Sequence, residues 1–200
     1  SLFVLIINEM KELNSKKNFL IKTICIGNTY LGGTGKTSLA IEIQNLVKRK
    51  FKTVFIKKNY SDQLDEINLL KTKGELISKN SREEALYLAS KKNYELAVLD
   101  DGLQQKNINY NLRIVCFNAE NGLGNNYLIP AGPLRESINK IKNYDIAFIN
   151  GDKKNNNLYL KLKSINKKIK IFEGKYKILN LKKFNLKKKD LMFCGIGNPH

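Results

Sequence analysis

The sequence predicts an α/β domain, a parallel sheet flanked by helices. Three observations carry that prediction. Short apolar runs rich in β-branched residues alternate with amphipathic stretches, a glycine-rich segment joins the first run to the first helix, and two adjacent carboxylates close a later run. The runs are continuous rather than alternating, as strands buried on both faces are.

Taken in order, the first strand is centred on Ile24-Cys25-Ile26. The segment Gly32-Gly33-Thr34-Gly35-Lys36-Thr37-Ser38 follows. From Lys36 onward Leu39, Ile43, Leu46 and Val47 recur at helical spacing, and Lys48, Arg49 and Lys50 sit where they complement a helix C-terminus. Thr53 to Ile56 reads as a second strand, and Leu64, Ile67 and Leu70 as one face of a short helix. Ser81-Arg82-Glu83-Glu84 has capping-box spacing ahead of a helix carrying Ala85, Leu86, Leu88 and Ala89. Leu96 to Leu99, Leu112 to Phe117 and Ile146 to Ile149 are further buried strands. Between Asn118 and Glu136 there is no clear period, and a loop of that length in a compact domain is usually functional or mobile. Past Gly151, Leu158-Tyr159-Leu160-Lys161-Leu162 and Ile169-Lys170-Ile171-Phe172 alternate like half-exposed strands. They predict a β-rich extension, antiparallel or hinge-like, leading toward a second domain.

The glycine segment carries the chemistry. Gly32, Gly33, Thr34, Gly35 and Ser38 let backbone N–H groups close around a polyphosphate, the Lys36 ammonium reaches the terminal phosphates, and the Thr37 hydroxyl ligates Mg²⁺. The strict pattern places glycine five residues before Gly35, where this chain has Tyr30. A glycine-rich turn that merely contains Lys and Thr is the bland alternative. Strand, loop and helix in the required order favour a phosphate cradle, and with it a P-loop NTPase-like sheet binding ATP or another nucleoside triphosphate. Ligands in such sheets sit at the carboxyl ends of the strands, and there Asp100-Asp101-Gly102 places two carboxylates for metal and proton handling. A guanine reader Asn-Lys-x-Asp is missing, since Asn166-Lys167-Lys168-Ile169 lacks its aspartate. The partitioning ATPases need a lysine at Leu31. A phosphotransferase remains, with Arg135 as the extra cation and a surface ion pair with Glu136 as its structural alternative.

Composition sets outer bounds. Two hundred residues at 42% hydrophobic content bury a real core. The net charge of +18 comes almost wholly from lysine, the arginines being Arg49, Arg82, Arg113 and Arg135. Codon bias explains such usage first, attraction to anionic lipid second and nucleic acid last, since no nucleic-acid motif is present. Cys25, Cys116 and Cys194 lie in apolar runs without a CxxC pair and read as core residues. The single histidine, His200, gives no histidine-based site. Leu2 to Ile7 is too short to span a bilayer and reads either as the end of a longer hydrophobic helix or as one buried turn.

Several of these segments together resemble one family. Gly27-Asn28, Gly32 to Thr37, Asp100-Asp101-Gly102-Leu103-Gln104, Gly122-Leu123-Gly124-Asn125, Leu128 to Glu136, Asn150-Gly151 and Phe193 to Pro199 are similar, in the same order, to motifs of the tetraacyldisaccharide 4'-kinases of Gram-negative bacteria. The resemblance implies ATP- and Mg²⁺-dependent phosphorylation of the 4'-hydroxyl of an acylated disaccharide lipid in lipid A biosynthesis. It also implies a peripheral location on the anionic cytoplasmic face of the inner membrane, with no nucleic-acid partner, and leaves the oligomeric state open. It accounts for Tyr30, because the family's loop does not keep the first glycine. The implied organisation is a membrane-associated segment over 1–20, a P-loop kinase core over 21–177 and the start of a C-terminal domain over 178–200. Its catalytic set is Lys36, Asp100, Asp101 and Arg135 with Asp65 as proton acceptor, Asp62 competing for that role, and its metal positions are Thr37, Asp100 and Asp101. The chain departs from the family in having Lys57-Lys58-Asn59-Tyr60 for an Arg-Gly-Tyr run and Gln105 where histidine is common. The family continues past this point and supplies a further histidine that assists the base. Two readings stay beside this one: a non-kinase P-loop ATPase switching a membrane or nucleic-acid partner, and a basic surface-binding module with a degenerate loop.

Overall fold

The computed structural model describes residues 20–60 and 63–176. Its strands are β1 (Lys22–Asn28), β2 (Thr53–Lys58), β3 (Leu76–Lys79), β4 (Leu96–Asp100), β5 (Leu112–Asn118), β6 (Ile146–Asn150) and β7 (Lys170–Gly174). The helices are α1 (Lys36–Val47), α2 (Leu64–Lys73), α3 (Arg82–Lys91) and α4 (Asn156–Ile165), with a 3₁₀ turn at Ile138–Asn143. All seven strands join one sheet in the order β3-β2-β4-β1-β5-β6-β7, every pair parallel. A parallel sheet puts all its strand C-termini at one end, and β1, which leads into the glycine loop, lies in its middle.

Alternation along the strands sorts side chains into two cores. Ile26, Phe55, Val98, Ile114 and Cys116 face the side covered by Ala40 of α1 and Leu70 of α2. Cys25, Val54, Ile56, Leu99, Val115 and Phe117 face the other side, covered by Ala85, Leu86 and Ala89 of α3 and by Leu158 and Leu162 of α4. The period-2 rule then extends past the apolar part of each strand. Lys57 and Asp100, two residues beyond Phe55 and Val98, fall on the α1/α2 side, and Asp101 is directed to the α3 side. Ser81 caps α3 as its spacing predicted, its hydroxyl oxygen accepting from the Glu84 N–H at 3.1 Å.

Three expectations change. Leu158 to Leu162 is helical, within α4: Leu158 and Leu162, four residues apart, are both buried, and Asn155 caps the first turn by accepting from the Leu158 N–H at 2.8 Å. Its alternating look came from Leu160, which is exposed. The segment at 169–172 does contain a strand, but β7 is parallel to β6 and extends the same sheet, so the antiparallel option falls away. On α1 the innermost residue is Ala40, while Leu46 is 73% exposed.

The predicted long loop docks beside the phosphate loop. The Leu31 N–H donates to the Pro133 carbonyl at 2.9 Å, the Arg135 N–H donates to the Thr29 carbonyl at 2.7 Å, and Leu134 is fully buried. Cys25 and Cys116 are free and buried, and burial pushes the Cys25 thiol up to about 12, which keeps it protonated and inert. Cys194, His200, the segment expected at 178–200 and, Leu20 apart, the segment expected at 1–20 lie outside the described residues.

Candidate active site

Residues 29–35 turn from β1 into α1. The Asn28 side-chain amide braces this turn from inside, donating to the carbonyls of Tyr30 (2.6 Å) and Gly32 (3.3 Å). Gly35 occupies the N-cap of α1 in the left-handed region at φ 82°, and no side chain caps the helix. The first-turn amides of α1 are thus left for a ligand, and a helix N-terminus with unclaimed N–H groups favours an anion. Thr34 is buried with a hydroxyl that finds no partner among the described residues.

Across from the loop stands the end of β4. Asp100 is fully buried, and its Oδ2 accepts from the Thr37 hydroxyl at 3.1 Å and from the Lys57 ammonium at 2.8 Å. Its Oδ1 has no hydrogen-bond partner among the described residues. Asp101 sits at φ 58°, in the left-handed region, its N–H tied to the Ile26 carbonyl at 2.8 Å. Its Oδ1 accepts from Arg135 Nη1 at 2.8 Å, and that nitrogen also donates to Asn28 Oδ1 at 2.7 Å. Burial pushes the Asp101 carboxyl up, but Lys36, Arg135 and Arg82 together outweigh it and hold the group below the usual aspartate range. The turn after β4 interlocks with β1. A Cβ on Gly27 would meet Leu103 Cγ at 2.7 Å, and one on Gly102 would meet Cys25 Sγ at 2.8 Å.

Magnesium fits this donor set. Thr37 and Asp100 are hard oxygen ligands of the kind Mg²⁺ takes from protein when it arrives on a polyphosphate, and the buried, partnerless Asp100 Oδ1 is an acceptor awaiting a cation. Among the described residues no group of three or more His, Cys, Asp or Glu side chains could hold a metal alone.

The structure thus brings together Lys36, Thr37, Asp100, Asp101 and Arg135. Arg135 pairs with Asp101 rather than with Glu136, whose carboxylate instead accepts from the Tyr144 hydroxyl and from Gln104 at 3.3 Å. Asp65 lies in the first turn of α2 and is exposed, while Asp62 is outside the described residues. Its neighbour Glu66 reaches inward to the Lys57 ammonium. Lys57, Glu66, Asn28 and Arg82 are the site residues that sequence reasoning missed. Arg82 is buried, donates to the Asp101 carbonyl and to Gln105 Oε1 (3.0 Å), and stands at the edge of a cleft of about 400 Å³. Lys58, Tyr60, Gln104, Asp101 and Arg135 line the same cleft, a polar and mainly cationic recess beside the carboxylates.

Comparison with known proteins follows this geometry. The family model described as Tetraacyldisaccharide-1-P 4'-kinase (LpxK) matches residues 3–200. The tetraacyldisaccharide 4'-kinase of Pelagibacter ubique is 45% identical over 201 residues, covering 98% of this chain and 64% of that protein. The corresponding protein of Rickettsia canadensis is 31% identical over 196 residues, covering 89% of this chain and 59% of the relative. The chain therefore spans less than two thirds of the length of these curated relatives. Among solved structures, the "apo" form of LpxK from Aquifex aeolicus in complex with ATP aligns with a TM-score of 0.64 at 21% identity. That alignment takes in 74% of this chain and 54% of the other, and it shows a shared fold.

Proposed function

Because this chain belongs to the tetraacyldisaccharide-1-P 4'-kinase family, we propose that it forms the nucleotide-binding core of an ATP-dependent kinase acting on the 4'-hydroxyl of a tetraacyldisaccharide 1-phosphate. The observation that carries this reading is the junction of Thr37 and Asp100 opposite the Arg135–Asp101 pair. One side is suited to a metal-borne polyphosphate, the other to the charge of the group in flight.

Phosphoryl transfer needs little covalent help from the protein, only alignment and charge neutralisation. Bound with the nucleotide, Mg²⁺ would neutralise phosphate oxygens, held by Thr37 and the free oxygen of Asp100. The α1 amides and Lys36 cradle the phosphate chain, and Lys36 withdraws charge from the leaving group. Arg135, aimed by Asp101 and Asn28, steadies the transferred phosphoryl group. The acceptor oxygen forms its bond to the γ-phosphorus as the bond to the β–γ bridging oxygen breaks, and Asp65 takes the hydroxyl proton. The cationic cleft beside Asp101 is matched to a phosphorylated sugar headgroup.

Work at the cytoplasmic face of the inner membrane, held peripherally by anionic lipid, completes the proposal. The +18 charge supports it, and among the described residues no helix is long and apolar enough to cross a membrane. Incubating the full-length protein with ATP, Mg²⁺ and the tetraacyldisaccharide 1-phosphate tests it. A 4'-phosphorylated product is expected, whereas ATP hydrolysis without that product would replace the kinase by an ATPase switch.

A further inference from the structure

We propose that Lys57 is a positioning residue that ties the first turn of α2, which carries the candidate proton acceptor Asp65, to Thr37 and Asp100 at the phosphate loop, an inference that rests on the phosphotransfer proposed above. The side chain of Lys57 is only 1% exposed, and its ammonium touches two carboxylates from different elements, Asp100 of β4 at 2.8 Å and Glu66 of α2. The Asp100 oxygen that takes Lys57 also takes the Thr37 hydroxyl. Thr37, Asp100, Lys57 and Glu66 thus form one unbroken chain from the first turn of α1 to the first turn of α2.

Two features give this chain a task beyond stability. Among the described residues the first turn of α2 has little else to hold it. Its N-cap, Gln63, makes no side-chain cap bond, Leu64 is 56% exposed, and apolar anchoring begins only at Ile67. Asp65, the candidate proton acceptor, sits in this turn, so its distance from the phosphates is set by the neighbouring Glu66–Lys57 contact. The position of Lys57 is also demanding. It follows Phe55 on the face that meets α1 and α2, where apolar side chains in place of the whole Asp100–Lys57–Glu66 network would often stabilise as well or better. An ammonium here serves geometry: it clamps Asp100 Oδ2 and leaves Oδ1 as the open acceptor.

Glu66→Met is the informative variant, because it removes the acceptor that Lys57 holds on α2 while leaving the buried Lys57–Asp100 pair intact. In the full-length protein kcat should fall about tenfold or more through misplacement of the acceptor-side turn. KM for ATP should stay within about twofold and the melting temperature within a few degrees. Lys57→Arg, which retains both contacts, should keep most of the wild-type kcat. Amide exchange gives a second readout that needs no turnover: Glu66→Met should speed exchange across residues 64–68 about tenfold and leave β2 and β4 unchanged. Unaltered kcat with unaltered exchange at 64–68, or a rise in KM for ATP in place of a fall in kcat, would overturn the proposal. A wild-type protein that forms no 4'-phosphate would defeat the kinase reading instead, and exchange at 64–68 would still decide whether Lys57 positions α2.

Discussion

Two lysine-bearing regions of one sheet behave in opposite ways. At the C-terminal end of β2, Lys57 is buried and holds two carboxylates, while around β7 and the turn before it Lys167, Lys168 and Lys170 stand in solvent. Both come from the same lysine-rich composition. Burial lowers the proton affinity of Lys57, yet Asp100 and Glu66 more than restore it and leave its pKa raised, so the charge is locked in place. A solvated lysine at the other end of the sheet contributes to the net charge and little to structure. The +18 therefore misleads as a single number, because it counts a buried, paired ammonium and a solvated one alike.

The comparison breaks most readily at the phosphate loop. Lys36→Met is expected to lower the rate of phosphoryl transfer about a thousandfold or more with the fold intact, measured as labelled phosphate reaching the lipid. Lys57→Met leaves Asp100 buried without its cation and should cost about 3 kcal/mol or more of unfolding free energy, read from urea titration. Arg135→Lys keeps the charge but loses the rigid guanidinium whose Nη1 bridges Asp101 and Asn28, and kcat should drop about tenfold or more, with Arg135→Ala worse. Acid sharpens the contrast further. The Asp101 carboxyl is held below its usual range, so its stabilisation is present above the ordinary aspartate pKa of about 3.9 and disappears as pH falls through the depressed value. Asp101→Asn should then show a shallower loss of stability between about pH 5 and 3 than the wild type in urea titrations at each pH. At the small end, Lys168→Ser should change unfolding free energy by no more than about 0.5 kcal/mol. A larger effect there would show that the outer edge is not simply solvated.

Much of this layout was legible in the residues. Continuous apolar runs marked the buried parallel strands, and capping chemistry at Ser81 placed α3. The glycine loop and Asp100-Asp101 named the end of the sheet at which to look. Lys57 was not legible, although its parity was. Knowing that it opposes Asp100 requires the β2–β4 pairing and its register, in which Ile56 lies against Leu99, and neither follows from local sequence. Arg82 was hidden for a related reason, being read as a helix-start residue whose side chain turns out to fold under the Asp101 carbonyl. The error at Leu158 to Leu162 was one of period, since three leucines in five residues fit a strand and a helix equally, and burial of Leu158 with Leu162 chose the helix.

The interlock between β1 and the segment after β4 has a consequence for how such a protein changes over generations. Gly27 makes room for Leu103, and Gly102 makes room for Cys25, so each segment contributes one small and one larger partner. A methyl group added at either glycine is harmful alone and becomes tolerable only if its opposite number shrinks first. Strand β1, which leads into the phosphate loop, and the acidic turn are therefore bound to drift together. A lineage that altered one without the other would pass through a misfitting intermediate, and for that reason the two stretches should be transplanted as a pair when this core is grafted or recombined.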